Sequence, residues 1–394
     1  MFILDKPYVS SYLEDTALKY SYPVLKNAAA DELELNQELN FYCEGFAANQ
    51  IKEGKDNLVY CNSENAIDWI TKNLDSTDIP RQISLCKDKV QFRKLISKIY
   101  PDFYFEEIDT EALCGVDSSK LKFPVVLKPK IGFLSFGVYP IYNEKEWQNT
   151  IQTIKTDIEK YKEIFPKSVV NTSSFIIEEM IEGDEFAADV YFDAENKPVI
   201  LNIYKHPFSG SDDVSDRIYF TSKNIIKTYL EKFETLFEKI GSTMGLKNFP
   251  CHIELRVNDK AIIPIEINPM RFAGWCLCDL AHYAFDINPY VYYFEQKRPC
   301  WNDILSKMDD ALYCFTIGDN QGIKDIKNID YKAYSDDLIS SNSAKYSAPS
   351  NKLFELRKID YKNFPIFALA FIKLQDEDEV SKVLNMDFNK YIEV

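Results

Sequence analysis

The sequence is short of the residues that build zinc sites and disulfide frameworks. It has three histidines, none paired at metal-ligand spacing, and nine scattered cysteines without a CxxC pair. An odd, scattered set of cysteines argues against both kinds of site and fits a reducing cytoplasm. Basic residues are also fewer than acidic ones, so the 394 residues carry a net charge of −16. An acidic surface repels phosphate backbones, so general nucleic-acid binding is disfavoured.

Signals for export and for two common nucleotide sites are also missing. The first five residues have neither the basic n-region nor the long apolar run of a signal peptide, and no apolar run elsewhere is long enough to span a bilayer. The chain contains no GxxxxGK(S/T) and no GxGxxG motif, which excludes a P-loop and a dinucleotide-binding fingerprint. We therefore expect a cytoplasmic protein that does not contact membranes.

The chain does have enough apolar residues for two or three domains, since 46% of its 394 residues are hydrophobic. In the first 85 residues, predicted strands at 2–4 and 57–61 alternate with predicted helices at 11–18 and 63–70. That alternation predicts a small α/β domain with a parallel sheet over residues 1–85.

Residues 123–138 are typical of a hairpin with a small tip. An apolar strand leads into Lys128 and is closed by Pro129, and the loop that follows contains Gly132, Ser135 and Gly137. Because glycine lets backbone N–H groups approach an anion closely, this tip and Lys128 could hold a phosphate. The alternative is an ordinary hairpin whose lysine reaches water.

A helix is predicted upstream of that hairpin, at residues 90–96. Asp88 is well placed to cap it. Lys87 and Lys89 flank the cap, and without other context both are expected to lie in a solvated helical turn.

Further candidates lie at strand ends. The predicted strand that starts at Phe175 ends in the acidic residues Glu178 and Glu179, and the chain turns at Gly183 into a strand that begins with Glu185. Exposed backbone groups at such a turn can pair with the edge of a base, and a carboxylate there can accept ribose hydroxyls. Ordinary solvated acids are the alternative. Lys205 ends the next strand, and the polar residues 207–216 are either a lid or a plain surface loop.

The next predicted hairpin carries two carboxylates. Period-2 alternation puts Glu254 on one strand, and Glu266 with Asn268 on one face of the following strand. Two carboxylates and an amide oxygen among apolar neighbours suit Mg²⁺, which completes its shell with water and phosphate oxygens. A salt bridge to Arg256 or Arg271 is the alternative.

Taken in chain order, these segments resemble the ATP-grasp superfamily of carboxylate–amine and carboxylate–thiol ligases over about residues 85–295. In that family two α+β subdomains clasp ATP, and an N-terminal α/β domain usually precedes them. The resemblance implies that Lys89 and Lys128 bind phosphates, that residues 132–137 form the flexible loop over them, and that Glu185 accepts the ribose hydroxyls. It further implies a phosphate contact from Lys205, an adenine-pairing hinge at Glu178, Glu179, Met180 and Ile181, and the magnesium ligands Glu254, Glu266 and Asn268.

The chain departs from the family pattern at one place. The family commonly has Asn-x-Arg after the second glutamate, whereas this chain reads Asn268-Pro269-Met270-Arg271. The resemblance implies that Arg271 reaches the acyl phosphate or the acceptor and, with Lys128, serves catalysis. A salt bridge within the site is the alternative for the arginine.

The predicted fold class is α/β plus α+β. We expect a Rossmann-like domain at 1–85, an ATP-grasp domain at 86–295, and a C-terminal α+β segment at 296–394 packed on it. The ATP-grasp domain divides into a nucleotide-binding part at 86–182 and a metal-binding part at 183–295. Apolar runs in the tail predict two buried strands, at 311–317 and 365–372.

The resemblance implies an ATP-dependent ligase that uses Mg²⁺ or Mn²⁺. It would activate a small carboxylate as an acyl phosphate and join it to an amine or another nucleophile, releasing ADP and phosphate. A biotin-carboxylase-like or kinase-type enzyme is one alternative, and a non-catalytic nucleotide-binding protein is another. Glu254 and Glu266 argue against the last, because binding alone does not need a full metal pair. A homodimer is compatible with the sequence, which does not identify the substrates.

Overall fold

The computed structural model of the protein describes residues 1–131, 137–164, 171–210, 216–340 and 351–394. Residues 211–215, half of the predicted lid at 207–216, lie outside those ranges. None of the described helices combines the length and the apolarity needed to cross a bilayer.

The N-terminal segment forms a four-stranded parallel sheet in the order β3-β2-β1-β4. This confirms the predicted parallel α/β architecture. Helix α1 begins where its sequence indicates, because the Ser10 side chain accepts a hydrogen bond from the N–H of Leu13. The elements are β1 (Phe2–Ile3), α1 (Ser11–Lys19), β2 (Val24–Lys26), α2 (Ala28–Glu32), β3 (Phe41–Cys43), α3 (Glu44–Lys52), β4 (Tyr60–Cys61), a 3₁₀ turn (Glu64–Ala66), α4 (Ile67–Asn73), α5 (Ile79–Lys87) and α6 (Lys89–Ile96).

A second sheet of four antiparallel strands follows, in the order β5-β8-β6-β7. The predicted hairpin is confirmed, but the prediction that Pro129 closes its first strand is wrong, since β6 continues to Ile131. Pairing with β7 ends at Leu127, so Pro129 has a strand neighbour on one side only, where a missing N–H is tolerated. The elements are β5 (Phe105–Asp109), two 3₁₀ turns (Thr110–Gly115 and Ser118–Lys120), β6 (Val125–Ile131), β7 (Tyr139–Ile141), α7 (Glu144–Ile164) and β8 (Asn171–Glu179).

The largest sheet has eight antiparallel strands in the order β13-β12-β9-β10-β11-β14-β17-β16. Its elements up to residue 307 are β9 (Asp184–Phe192), β10 (Pro198–His206), β11 (Ile218–Ser222), α8 (Lys223–Met244), β12 (Phe249–Val257), β13 (Ile262–Pro269), a 3₁₀ turn (Gly274–Asp279), α9 (Leu280–Phe285), α10 (Pro289–Phe294) and α11 (Trp301–Lys307). Helix α8 packs along β10 and puts Phe233, Phe237 and Ile240 into the core. Ser222 caps its start, and Gly245 ends it in the left-handed conformation at φ 69°.

The C-terminal segment extends this same sheet. Both predicted tail strands are confirmed, as β14 and β17, and with β16 they continue the ladder from β11. The segment therefore contributes strands to the sheet and does not only pack on it, while the predicted domain boundaries stay predictions. Its elements are β14 (Leu312–Asp319), β15 (Asn328–Ile329), α12 (Tyr331–Ile339), β16 (Lys352–Lys358), β17 (Ile366–Leu374), α13 (Glu377–Leu384), a 3₁₀ turn (Phe388–Tyr391) and β18 (Ile392–Glu393).

Candidate active site

Two carboxylates face each other at the edge of the large sheet. In the antiparallel ladder Glu254 of β12 is opposite Glu266 of β13, and His252 is opposite Asn268. The side-chain amide of Asn268 donates to Oε1 of Glu254 over 2.9 Å, which leaves the carbonyl oxygen of that amide outside this bond. The three predicted metal ligands are therefore brought together.

The ladder is irregular next to this pair. Glu254 is opposite Glu266 but Leu255 is opposite Pro264, so Ile265 is an extra residue on β13. An extra residue of this kind is a β-bulge, which bends its strand and re-aims the neighbouring side chains. The bulge therefore sets the direction of Glu266.

Helix α6 supplies a lysine to the carboxylate pair. Asp88 accepts hydrogen bonds from the N–H groups of Val90 and Gln91, which confirms the predicted cap. The expectation of a solvated turn is wrong for Lys89, whose side chain is only 11% exposed. Its Nζ lies 2.9 Å from Oε2 of Glu266, because α6 begins against the sheet edge.

Lys128 lies in a second buried ion-pair group. Its Nζ is 2.5 Å from Oε1 of Glu178, and Nε of Arg93 is 2.7 Å from Oε2 of the same carboxylate. All three side chains are 5% exposed or less. Sequence reasoning missed Arg93, although it lies one helical turn after Lys89 and therefore on the same face of α6.

The residues of the predicted adenine hinge, 178–181, form hydrogen bonds within the protein. The Glu178 carboxylate points to Lys128, while its neighbours use their backbone within the protein. The N–H of Glu179 donates to the carbonyl of Tyr104, and the N–H of Met180 donates to the carbonyl of Pro124. Adenine pairing through 178–181 stays a prediction.

The charges of this central cluster balance formally, with three cations and three anions: Lys89, Arg93 and Lys128 against Glu178, Glu254 and Glu266. Burial opposes ionisation of Glu178, but Arg93 and Lys128 outweigh it and hold the pKa at about 2. Burial lowers the pKa of Lys128 despite its pairing with Glu178.

The two facing carboxylates differ in their need for a cation. Burial opposes ionisation of Glu266 too, but the Lys89 ammonium outweighs it and holds its pKa below the usual value. Burial, followed by the charge of Glu266, raises the pKa of Glu254 well above the usual value. Among the described residues, Glu254 is therefore the carboxylate of this pair that has no direct salt bridge.

This donor set fits a small, hard cation. Within the described ranges, no group of three or more His, Cys, Asp or Glu side chains could hold a metal by itself. Glu254, Glu266 and Asn268 would thus contribute three ligating side chains. Mg²⁺ and Mn²⁺ accept carboxylate, amide and water oxygens, and Mg²⁺ usually completes its octahedron with water and substrate phosphates.

Arg271 is held by the N-terminal segment. Its Nη2 lies 3.0 Å from Oε1 of Glu64, which also pairs with Lys87. Burial opposes ionisation of Glu64, but Lys87 and Arg271 outweigh it and hold its pKa at about 2. The salt-bridge alternative thus describes Arg271 here, but its partner is Glu64 rather than the facing carboxylates, a contact that the sequence pattern did not indicate.

Glu185 and Lys205 lie on opposite faces of the sheet. Glu185 is opposite His206 on β10, and its carboxylate lies 3.0 Å from Nδ1 of His206 and 2.7 Å from Nη2 of Arg256. Lys205 points to the other face, 3.3 Å from the carboxylate of Asp184. The structure therefore does not bring Lys205 to the other predicted site residues, and it pairs Arg256 with Glu185 rather than with Glu254 or Glu266.

The predicted phosphate loop is described only at its end. Gly132 and Ser135 lie outside the described residues. Gly137 has φ 73°, in the left-handed region that favours glycine. It precedes β7, so the turn into the second strand of the hairpin depends on this residue.

Comparisons with known proteins agree with this architecture. A family profile described as the ATP-grasp domain matches residues 121–279. Comparison with curated protein sequences gives no match. The chain is similar to a solved phosphoribosylglycinamide synthetase from Anaerococcus prevotii, with 15% identity, a TM-score of 0.59, and coverage of 100% of this chain and 98% of that one.

Two further solved structures are similar over nearly the whole chain. An L-amino acid ligase from Bacillus licheniformis is 14% identical with a TM-score of 0.60, covering 99% of this chain and 97% of its own. A biotin carboxylase from Campylobacter jejuni is 10% identical with a TM-score of 0.61, also covering 99% and 97%. At such identities the likeness shows the fold, and it confirms the predicted fold class. Residues 121–279 thus match the ATP-grasp domain, and the chain over nearly its whole length is similar in fold to these three proteins.

Proposed function

We propose that this protein is an ATP-dependent ligase that activates a carboxylate as an acyl phosphate and joins it to an amine. A carboxylate oxygen attacks the γ-phosphorus of ATP and ADP leaves. The amine nitrogen then attacks the acyl carbon, the bond to the phosphate oxygen breaks, and phosphate is released. Each turnover forms one C–N bond and releases one ADP and one phosphate.

One observation carries this proposal: Glu254 and Glu266 face each other beside a buried lysine contributed by a different segment. Such an arrangement is costly for a fold that has no use for it, because Glu254 is partly buried next to another carboxylate and, among the described residues, forms no salt bridge of its own. A divalent cation bound to a nucleotide would remove that cost. Perturbed carboxylates of this kind are typical of functional sites.

The lysines suit this reaction because their present partners can be exchanged. Lys89 is paired with Glu266 and Lys128 with Glu178, and in both pairs a phosphate oxygen could replace the carboxylate oxygen. Glu266 and Glu254, with Asn268, would hold the metal. The bound metal would supply neutralisation of phosphate charge. Lys89 and Lys128 would orient the phosphates and stabilise the charge that develops during transfer.

The roles of the remaining candidates belong to the same proposal. Glu185 would accept the ribose hydroxyls after exchanging part of its pairing with Arg256, and Arg271 would orient the carboxylate or the acyl phosphate after leaving Glu64. The backbone at 178–181 would meet the adenine. A cytoplasmic location agrees with cysteines that all lack disulfide partners.

ATP-dependent carboxylation of a biotin-like acceptor is a second candidate. It is favoured by the similarity to the Campylobacter jejuni biotin carboxylase, whose TM-score of 0.61 is no lower than that of the L-amino acid ligase. A kinase-type reaction on the same site would transfer phosphate without forming a C–N bond. Bicarbonate dependence separates the carboxylase from the ligase.

The experiment is a screen of amino acids and other small carboxylates, singly and in pairs, for phosphate release with ATP and Mg²⁺. We expect release that requires one carboxylate and one amine, and a condensation product of matching mass. Release that requires bicarbonate instead would favour carboxylation. Nucleotide binding without release in any mixture would favour a binding protein and contradict the proposal.

A further inference from the structure

Arg93 joins the two strands that carry the two halves of the candidate site. Its guanidinium forms a two-point contact with Glu178 of β8, at 2.7 Å from Nε and 3.3 Å from Nη2. Its Nη1 donates to the carbonyl of Pro264 over 2.7 Å, and Nη2 lies 3.5 Å from the carbonyl of Ile265. The Arg93 side chain is 1% exposed. It thus contacts both β8, which carries Glu178, and β13, which carries Glu266.

The carbonyls that Arg93 meets are those at the bulge. Ile265 is the extra residue of β13, and β13 is the outermost strand of its sheet. Outer carbonyls of an edge strand have no neighbouring strand to bond, and a bulge disturbs the ladder further. A planar guanidinium has five donors in a fixed geometry and can make all four of these contacts, whereas a lysine has only three donors. Arg93 therefore fixes the backbone that directs Glu266.

We infer that Arg93 is a positioning residue that sets the distance between the nucleotide-holding strand β8 and the metal-holding bulge of β13, so that metal and nucleotide strengthen each other's binding through it. The inference rests on the proposed function, because it assigns no contact between Arg93 and substrate. Helix α6 serves both partners: Lys89 pairs with Glu266 and Arg93, one turn later, with Glu178. The helix is the rigid element that holds both strands.

Losing Arg93 has two effects in this account. The bulge at Ile265 loses the donor to its neighbouring carbonyl, so Glu266 is no longer held relative to β8. Of its two cationic partners Glu178 keeps only Lys128. Lys128 then binds this carboxylate more strongly and is less available to a phosphate. Both effects weaken the cooperation of metal and nucleotide. Supporting groups of this kind typically change metal affinity or activity by about 10–100-fold.

The test uses calorimetric titration of the full-length protein with a non-hydrolysable ATP analogue, β,γ-imido-ATP, with and without Mg²⁺. The quantity measured is the factor by which Mg²⁺ increases the affinity for the analogue. We expect this factor to fall about 10–100-fold in Arg93→Met. Arg93→Lys keeps an ion pair with Glu178 but loses the carbonyl contacts, so we expect most of the same loss, and this variant decides the test if Arg93→Met does not fold.

Tyr100→Phe is the matched control. The Tyr100 hydroxyl donates to the carbonyl of Ile262 over 2.5 Å, so it supports the same edge strand but does not contact Glu178 or the bulge. We expect a lower melting temperature and an unchanged Mg²⁺ factor. If Arg93→Lys folds and Mg²⁺ increases its affinity for the analogue as much as in the wild type, the inference is overturned but the proposed function is not. That result would mean that Arg93 only stabilises the fold. A wild-type protein that does not bind the analogue would overturn the proposed function as well.

Discussion

Two clusters of buried charge, both built on the large sheet, are paired in different ways. The distal cluster, made of Asp279, Glu355 and Arg357, is closed: Nη1 of Arg357 lies 2.8 Å from Asp279 and its Nε 2.8 Å from Glu355. Tyr290 and Tyr283 donate to the two carboxylates. The central cluster around Glu254 and Glu266 instead leaves one carboxylate, among the described residues, without a direct salt bridge.

This difference separates charge that stabilises the fold from charge that is available for ligands. In the distal cluster Asp279 and Glu355 each accept hydrogen bonds from Arg357 and from a tyrosine hydroxyl. A ligand would therefore have to displace one of these bonds. In the central cluster the pKa of Glu254 is raised by burial and by Glu266, and two lysines hold partners that a phosphate could replace. A carboxylate without a direct salt bridge, and lysines whose partners a phosphate could replace, mark the candidate site.

The largest contrast is expected from removing one carboxylate charge in each cluster. Glu266→Gln should abolish turnover, with a loss of at least about 10²–10³-fold, because a metal ligand and the partner of Lys89 are both lost. Glu355→Gln should leave turnover close to the wild-type rate. Phosphate release measured at saturating substrate, with circular dichroism to show that both variants fold, makes the comparison. Normal turnover in Glu266→Gln would refute the metal assignment.

A substitution in the distal cluster should reduce stability but not ATP binding. Arg357→Met leaves Asp279 buried without its cation, and breaking a buried pair in this way costs about 3–5 kcal/mol. We therefore expect that loss in the free energy of unfolding by urea, without a change in ATP affinity. Should ATP affinity fall together with stability, the distal cluster would belong to the site and the distinction between the clusters would be lost.

Acid should destabilise the protein through Glu178. The pKa of this carboxyl is lowered from 4.5 to about 2, since Arg93 and Lys128 outweigh the burial that opposes its ionisation. A lowered pKa in the folded state stabilises the protein above the unfolded-state value, and this contribution, roughly 3 kcal/mol, is lost as the pH falls from about 4.5 to about 2. Glu178→Gln should be less stable at neutral pH and show a flatter decline over that interval. Parallel wild-type and variant curves in pH-dependent unfolding would contradict the pairing.

The smallest effect is expected at Lys205. Its partners Asp184 and Glu377 are 65% and 68% exposed, and such surface pairs contribute about 0–1 kcal/mol to stability. Lys205→Met should therefore alter ATP affinity by less than about threefold, well under 1 kcal/mol. Calorimetric titration measures this directly. A tenfold loss would mean that the lysine reaches the nucleotide after all, as the family resemblance implies.

Much of the site could be predicted because its central pieces are local. The alternation around Glu254 and Glu266 defines a hairpin, and in a hairpin the register follows from the pattern of the two strands. Asp88 is a helix cap that acts within three residues. The N-terminal parallel sheet is visible for the same reason, as strands alternating with helices.

The remaining features depend on contacts between distant segments. Arg93 and Glu178 are 85 residues apart, and Glu64 and Arg271 are 207 apart, so neither pair appears in a local pattern. The extra residue at Ile265 does not interrupt the apolar alternation, so the bulge is not visible in the sequence. The addition of the tail strands to the large sheet depends on the pairing of β11 with β14, which are also distant in the chain.

The most direct test of the central claim is a crystal structure of the full chain with β,γ-imido-ATP and Mg²⁺. We predict that Glu254 and Glu266 hold a metal ion and that Lys89 and Lys128 turn from their carboxylate partners to phosphate oxygens. A nucleotide bound elsewhere, or a cleft in which Lys89 and Lys128 keep the partners they have now, would contradict it.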